Sequence, residues 1–272
     1  MNHPVLAFIG GGNMASAIIG GLLESGHPLD RLIVVEPFAP QRAKLAADFG
    51  LQALAEADAS LARAELLLWA VKPQMFVDAA AACAPYGTQA LHLSVMAGIR
   101  SDALLAACGA ARIVRAMPNT PALIGRGIAG LYARPEVSEQ DKQLVERVLA
   151  PTGELMWLQR ESDLDAVTAL SGSGPAYFFY FVEAMEAAAM EMGLNAEQGR
   201  QLALATCAGA AALAQQSPES PATLRERVTS KGGTTYAALS SLQADGVGPA
   251  IQRAVKAAQQ RARELGDESG KA

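Results

Sequence analysis

Apolar residues follow two rhythms along this chain, and the change falls near residue 160. Before it, short apolar runs alternate with longer segments of helical period. Residues 5–9, 32–35, 66–71, 89–96, 112–117, 127–132 and 155–158 read as strands, being short, aliphatic and bounded by glycine, proline or charge. Residues 13–25, 40–49 and 138–149 read as helices, and a further helical segment separates the strands at 89–96 and 112–117. Gly26 and Gly50 follow the first two as stop signals. Ser138, with Asp141 three residues on, opens the third. Strands alternating with helices predict a mostly parallel sheet covered on both faces.

After residue 160 no strand pattern recurs. Helices are predicted at 162–170, 175–192, 196–216, 222–229, 235–243 and 248–265. Turn signals part them: Ser-Gly-Ser-Gly at 171–174, Gly193-Leu-Asn195 and Ser217-Pro-Glu-Ser-Pro221. Alanine and other small residues dominate, which favours helix and close helix packing. No repeat or low-complexity linker interrupts the chain, so the expected division is 1–160 and 161–272.

Composition narrows the class. The 272 residues suffice for two medium domains with real cores. With 51% apolar and 18% charged residues the chain reads as soluble and globular, and a net charge of -5 gives no support for nucleic-acid binding. Cys83, Cys108 and Cys207 are scattered, which fits a reducing compartment and suggests neither disulfides nor a metal site. The first strand starts with no basic leader ahead of it. Glu183, Glu186 and Glu191 interrupt one long apolar helix, and 202–213 is too short to cross a bilayer. The expectation is a cytoplasmic protein with no membrane partner.

Gly10-Gly-Gly-Asn-Met-Ala15 fits G-x-G-x-x-G/A, and it lies between a predicted strand and a predicted helix. Gly10 would make the tight turn. Gly12 would let a pyrophosphate reach the backbone at the helix start, beside Asn13 and Met14, and Ala15 would keep helix and sheet close. The competing reading is a tight turn with no ligand. Glu36 closes the second strand, where an acid binds the ribose 2′-OH of NAD(H) and repels a 2′-phosphate; otherwise it is a solvated acid. Arg42, one helical turn on, is placed to reach a phosphate. Ala70-Val71-Lys72-Pro73, Ala97-Gly98 and Met117-Pro118-Asn119 end three successive strands on one edge. A lone Lys72 is usually a solvated cation, but three such loops favour a shared crevice for NADPH and/or NADH. The first half therefore reads as a Rossmann-type dinucleotide-binding domain, using NADH at least as well as NADPH.

Val228-Thr-Ser-Lys-Gly-Gly-Thr-Thr235 puts two glycines, four hydroxyls and a lysine at the start of a helical pattern. Unpaired amides and partial positive charge at a helix start suit a small carboxylate. Together with Phe8-Ile-Gly-Gly-Gly-Asn-Met-Ala15, Ala70-Val-Lys-Pro73, Arg115-Ala-Met-Pro-Asn-Thr-Pro121 and Ser171-Gly-Ser-Gly-Pro-Ala-Tyr177, this segment resembles pyrroline-5-carboxylate reductase, in order and over nearly the whole chain. That resemblance implies reduction of 1-pyrroline-5-carboxylate to L-proline by NAD(P)H. It implies an all-helical C-terminal dimerisation domain, pockets built from two subunits, and rings of dimers in some members.

By the same resemblance, Thr235 would hydrogen-bond the substrate nitrogen as the catalytic hydroxyl. Gly232, Gly233 and Thr234 would face the carboxylate, with Ser230 nearby and Val228 at the wall. Glu161 would lie near the ring nitrogen; the plainer reading is an exposed acid ahead of a helix. Residues 171–174 would bring the next helix close to the nicotinamide, or serve as a helix–helix turn. Three departures stand out: Lys231 where proline is usual, Ala57-Asp58 where an asparagine often precedes the fourth strand, and Glu36 in place of a small or polar residue. His3, His27 and His92 all lie in the first half, which argues against a histidine acid–base pair. They read as surface or strand-side residues. A β-hydroxyacid dehydrogenase would place a catalytic lysine within 175–192, and there is none. A non-catalytic redox sensor would not need the hydroxyls and glycines at 230–235.

Overall fold

A computed structural model of the chain describes residues 3–87 and 89–269. Seven strands form one sheet: β1 (Leu6–Ile9), β2 (Leu32–Val35), β3 (Leu66–Trp69), β4 (Leu91–Ser94), β5 (Ile113–Met117), β6 (Gly127–Ala133) and β7 (Gly153–Trp157). Their order is β2-β1-β3-β4-β5-β6-β7. The chain leaves β1 for β2 on one side and returns to β3 on the other. That reversal opens a crevice at the carboxyl ends of β1 and β3, where ligands bind in such sheets.

β1 to β5 pair in parallel, but β6 runs antiparallel to β5 and β7 then parallels β6. The sheet is therefore mixed, with its last two strands reversed. The cause is the connection. Residues 118–126 hold only a 3-10 turn, Thr120–Ile124, too short for the crossover a parallel neighbour needs. From β6 to β7 the chain has a helix, and the pair is parallel.

Alternate residues of the strands feed two cores. Leu6, Phe8, Leu66, Leu68, Leu91 and Leu93 pack on one face with Ile18, Ile19, Leu45, Val145 and Leu149. Ala7, Ile9, Leu67 and Trp69 pack on the other with Phe76, Cys83, Leu104 and Cys108. The first face is covered by α1 (Asn13–Glu24), α2 (Ala39–Phe49) and α5 (Glu139–Leu149), the second by α3 (Phe76–Gly87) and α4 (Ser101–Cys108). α3 is additional to the expected elements: its alanine-rich run has little amphipathic contrast and carries Pro85 inside. α5 starts as expected, with Ser138 and Asp141 closing a reciprocal capping box. The one wholly buried histidine among the described residues, His92, accepts from Trp69 Nε1 at 3.0 Å through Nδ1 and pairs through Nε2 with Gly87 O at 2.9 Å. Burial lowers its pKa, so it is neutral and structural.

The helices that follow are α6 (Asp163–Val167), α7 (Gly174–Glu191), α8 (Ala196–Gln216), α9 (Pro221–Arg227), α10 (Thr234–Ala244) and α11 (Val247–Ser269). The chain forms two compact units, one of residues 1–173 with 258–272 and one of 174–257. This differs from a division at 160, because α6 packs on β5 and β6 and the end of α11 packs on the sheet unit. In the second unit α7 and α8 pair closely; a Cβ on Gly199 would lie 2.9 Å from Ala189 Cβ. α7 leaves Phe178, Phe179, Tyr180 and Phe181 all more than half exposed. No described helix is long and apolar enough to cross a membrane.

Candidate active site

The glycine-rich turn follows β1, and its shape is forced by close approach. Gly10 has φ of 96°, and a Cβ there would sit 2.7 Å from Ala70 O. Only glycine avoids both the left-handed strain and the collision. Gly12 caps α1 with no side-chain hydrogen bond, and a Cβ there would meet nothing within 4 Å. The first-turn amides of α1, at Asn13, Met14 and Ala15, thus face an uncapped helix start, the cradle a dinucleotide pyrophosphate requires. Asn13 is exposed, Met14 half-buried and Ala15 buried against the sheet. These residues fit a nicotinamide dinucleotide.

Glu36 is not a solvated acid. It is 9% exposed, and its carboxylate accepts from Gly11 N at 2.8 Å and Phe38 N at 2.9 Å. It therefore braces the glycine turn while carrying negative charge at the end of β2. Gln41 Nε2 secures the same turn by donating to Gly11 O at 2.6 Å. Arg42, expected near a phosphate, donates Nη1 to the carbonyls of Glu36 and Pro37 at 2.9 and 2.7 Å.

The neighbouring strand ends carry the other expected residues. Ala70 and Val71 are half-buried beside Gly10, and Lys72 is exposed, preceding the 3-10 turn Pro73–Met75. Ala97 and Gly98 are half-buried beyond β4. Met117 ends β5, Pro118 is buried, and Asn119 Oδ1 accepts from Ile128 N at 3.0 Å, fixing the turn into β6. Ala57 and Asp58 precede β3, the third strand rather than the fourth; Asp58 accepts from Ser60 N at 2.8 Å and caps a 3-10 turn.

Glu161 is not the exposed acid of the plainer reading. Its carboxylate accepts from Ser101 N and Ser101 Oγ, each at 2.6 Å, and from Arg115 Nη1 at 2.8 Å. Burial pushes its pKa up, but the Ser101 and Arg115 hydrogen bonds outweigh that and hold it below the usual carboxylate range. It thus ties the start of α4 to β5. Arg134 Nη1 adds a bond to Ser101 Oγ at 3.3 Å and pairs with Asp102. Ser101 and Arg134 escaped the sequence reading, and Arg115 entered it only within a motif, without a role. The available signal was Arg115, a charge inside an otherwise apolar strand, which demands a buried partner.

The segment expected to hold substrate forms the turn from α9 into α10. Val228 ends α9 and is exposed; Thr229 Oγ1 donates to Arg225 O at 2.6 Å. Gly232 takes φ of 76°, and Gly233 N donates to Ser230 O at 3.0 Å, closing the turn. A Cβ on Gly233 would lie 2.6 Å from Ser230 Oγ. The Gly233 amide is therefore engaged within the turn. Gly233 caps α10 without a side-chain bond, so the first-turn amides from Thr234 and Thr235 onward are the donors free for an anion. Lys231 and Thr234 are exposed and Thr235 half-buried.

Residues 171–174 are not a simple interhelical turn. α6 runs on into a π-helical turn, Thr168–Gly172, before α7 begins at Gly174. Ser173 N donates to Thr168 O at 2.8 Å across it. The wide turn brings Gly172 onto Met117: a Cβ there would stand 2.7 Å from Met117 Cε. Such turns concentrate at functional sites. A cavity of about 500 Å³ lined by His3, His27, Leu144 and Arg147 lies at the amino-terminal end of β1, apart from these residues.

Comparison with known proteins places these features in a family. Residues 161–265 match the family described as pyrroline-5-carboxylate reductase dimerisation, and residues 5–98 match NADP oxidoreductase coenzyme F420-dependent. A pyrroline-5-carboxylate reductase of Pseudomonas aeruginosa is 43% identical over 99% of this chain and 100% of its own length. A solved pyrroline-5-carboxylate reductase from Coxiella burnetii superposes with a TM-score of 0.89 at 33% identity, covering 97% of this chain and 99% of the other. The Plasmodium falciparum pyrroline carboxylate reductase, solved with NADP bound, gives 0.88 at 27% identity over 98% and 99%. With its glycine-rich turn, its helical C-terminal segment and a relative this similar along its entire length, the chain belongs to the pyrroline-5-carboxylate reductase family.

Proposed function

We infer that this chain reduces 1-pyrroline-5-carboxylate to L-proline with NAD(P)H, the last step of proline biosynthesis. The observation that carries the substrate end is the uncapped start of α10, with Thr234 and Thr235 following a glycine turn. An anionic carboxylate fits the open amides, and the Thr235 hydroxyl remains to meet a second polar atom, the ring nitrogen. A nicotinamide dinucleotide held by Gly10, Gly12 and the first-turn amides of α1 would supply a hydride to the imine carbon. The ring nitrogen keeps or takes up a proton, and the C=N bond becomes a C–N single bond. An imine nitrogen is basic enough that a hydrogen bond from Thr235 Oγ1 suffices in place of a strong acid. His92 takes no part, since it is buried, neutral and bonded within the sheet unit. The test is turnover with product analysis: wild type should yield L-proline in step with coenzyme oxidised. Coenzyme consumption without proline would remove the reading.

The coenzyme is proposed to be NADH at least as readily as NADPH. A 2′-phosphate at the end of β2 would approach the buried Glu36 carboxylate, and repulsion there disfavours NADPH. The chain works as a homo-oligomer. The finer proposal is a dimer through the helical unit, supported by the exposed Phe178, Phe179, Tyr180 and Phe181 on α7, with dimers able to join into rings. A cytoplasmic setting is supported by three free cysteines, with Cys83 and Cys108 buried. A light-scattering mass at the monomer value under assay conditions would end the dimer proposal.

A further inference from the structure

The loop between β4 and α4 is fastened at three points, and two of the fasteners come from the far end of the chain. α11 ends at Ser269, and its turns from Ala258 onward belong to the same compact unit as the sheet. Gly98 lies so close to this helix that a Cβ there would stand 3.3 Å from Leu265 Cβ and 3.5 Å from the Leu265 carbonyl oxygen. Two residues on, Arg100 crosses Gly266: a Cβ on Gly266 would fall 2.8 Å from Arg100 Nε and 3.0 Å from Nη2. Arg100 Nη2 also donates to Asp267 Oδ1 at 2.7 Å. The third fastener is Glu161, which takes both Ser101 donors.

The chemistry of the second fastener is unusual for a surface pair. Arg100 Nε is buried and has no hydrogen-bond partner among the described residues. The guanidinium is therefore held by lying on the bare backbone of Gly266 as much as by its bond to Asp267. Glycine near the end of a helix sacrifices helix propensity relative to alanine. Here the missing methyl is the space that Arg100 fills. An ion pair with an exposed aspartate adds little to stability. Its fixed geometry instead sets where the loop runs. Asp165 joins the same patch: burial pushes its pKa up against the pull of Arg100, Arg115 and Arg263, with Asp267 adding to the rise.

We propose that the last turns of α11 position the β4–α4 loop for the coenzyme, with Gly266 as the seat and Arg100 as the positioning residue. The proposal rests on the reading that Ala97 and Gly98 in that loop face the coenzyme. It assigns a positioning role for coenzyme binding to residues at the opposite end of the sequence from the glycine-rich turn.

Gly266→Ala tests it cleanly, because the added methyl meets Arg100 while alanine favours the helix. Coenzyme dissociation constants are read by nucleotide fluorescence for wild type, Gly266→Ala, Arg100→Ala, Arg100→Lys and Ala97→Glu. Gly266→Ala and Arg100→Ala should each raise Kd for NADH and NADPH about tenfold, as expected when a supporting contact lets a binding loop drift. KM for coenzyme should rise in step while kcat at saturating coenzyme and Tm hold, and Arg100→Lys should recover part of the affinity. Unchanged Kd in both Gly266→Ala and Arg100→Ala, alongside weakened binding in Ala97→Glu, overturns the proposal and leaves the loop reading standing. Wild-type affinity in Ala97→Glu overturns the loop reading and the proposal with it. Weakened binding matched by a fall in Tm in both variants makes the contact one of folding alone, and also overturns it.

Discussion

At the scale of single residues, this site depends on groups that are doubly employed. Glu36 holds Gly11 and Phe38 by their amides while placing a negative charge where the adenosine ribose would lie. Glu36→Gln keeps an acceptor but loses the charge. It should shift the ratio of kcat/KM values toward NADPH by about tenfold, the equivalent of about 1.4 kcal/mol of relieved repulsion. Steady-state kinetics with both coenzymes checks this, and an unchanged ratio would deny Glu36 its selective role. Gly10 is the steric counterpart. Gly10→Ala puts a methyl against Ala70 O in a left-handed backbone, at a cost of about 1–3 kcal/mol. Loss of coenzyme binding and a lower unfolding midpoint should appear together in calorimetry. Glu161 shows what a reading of single residues leaves out. An acid ahead of a helix looks free on paper, but its partners Ser101 and Arg115 lie 60 and 46 residues away in sequence. Long-range pairings of this kind leave no local trace beyond the charge inside β5.

At the scale of elements, the sequence was most legible where local chemistry decides. Aliphatic runs marked all seven strands, and Ser138 with Asp141 marked the start of α5. Removing that cap by Ser138→Ala should lower stability by about 1 kcal/mol with activity unaffected, as chemical denaturation would register. An unchanged midpoint would mean that Asp141, which also accepts from Arg112 Nη1 at 2.8 Å, holds the helix start alone. Legibility failed where the answer depends on connections or weak contrast. The reversed β6 follows from a short link, not from its own residues. α3 was hidden by alanine, which fits helix without marking a face, and by Pro85. The π turn at Thr168–Gly172 reads as ordinary helix in sequence, and only the approach of Gly172 to Met117 gives it meaning.

At the scale of the whole molecule, buried ionisable groups set the acid limit of the fold. His92 has a lowered pKa from burial, so below its ordinary value the unfolded chain takes a proton that the fold refuses. Its contribution is lost as pH falls from about 6.5 toward the lowered folded value. Glu161, held low by Ser101 and Arg115, contributes fully above the ordinary carboxylate range and loses that contribution at still lower pH. Thermal unfolding followed from about pH 7 to pH 5 should show a falling midpoint, with a shallower slope in His92→Gln. Equal slopes would place the acid sensitivity elsewhere. The proposed reaction asks two things of this chain, a dinucleotide at the turn after β1 and an imine carboxylate at the start of α10. Its most direct test is NAD(P)H oxidation driven by 1-pyrroline-5-carboxylate, with proline measured, in wild type and Thr235→Ala. Wild type should convert one coenzyme per proline. Thr235→Ala should lower kcat/KM for the imine about a hundredfold with coenzyme affinity unchanged. Absence of proline from the wild type, or full activity in Thr235→Ala, would contradict it.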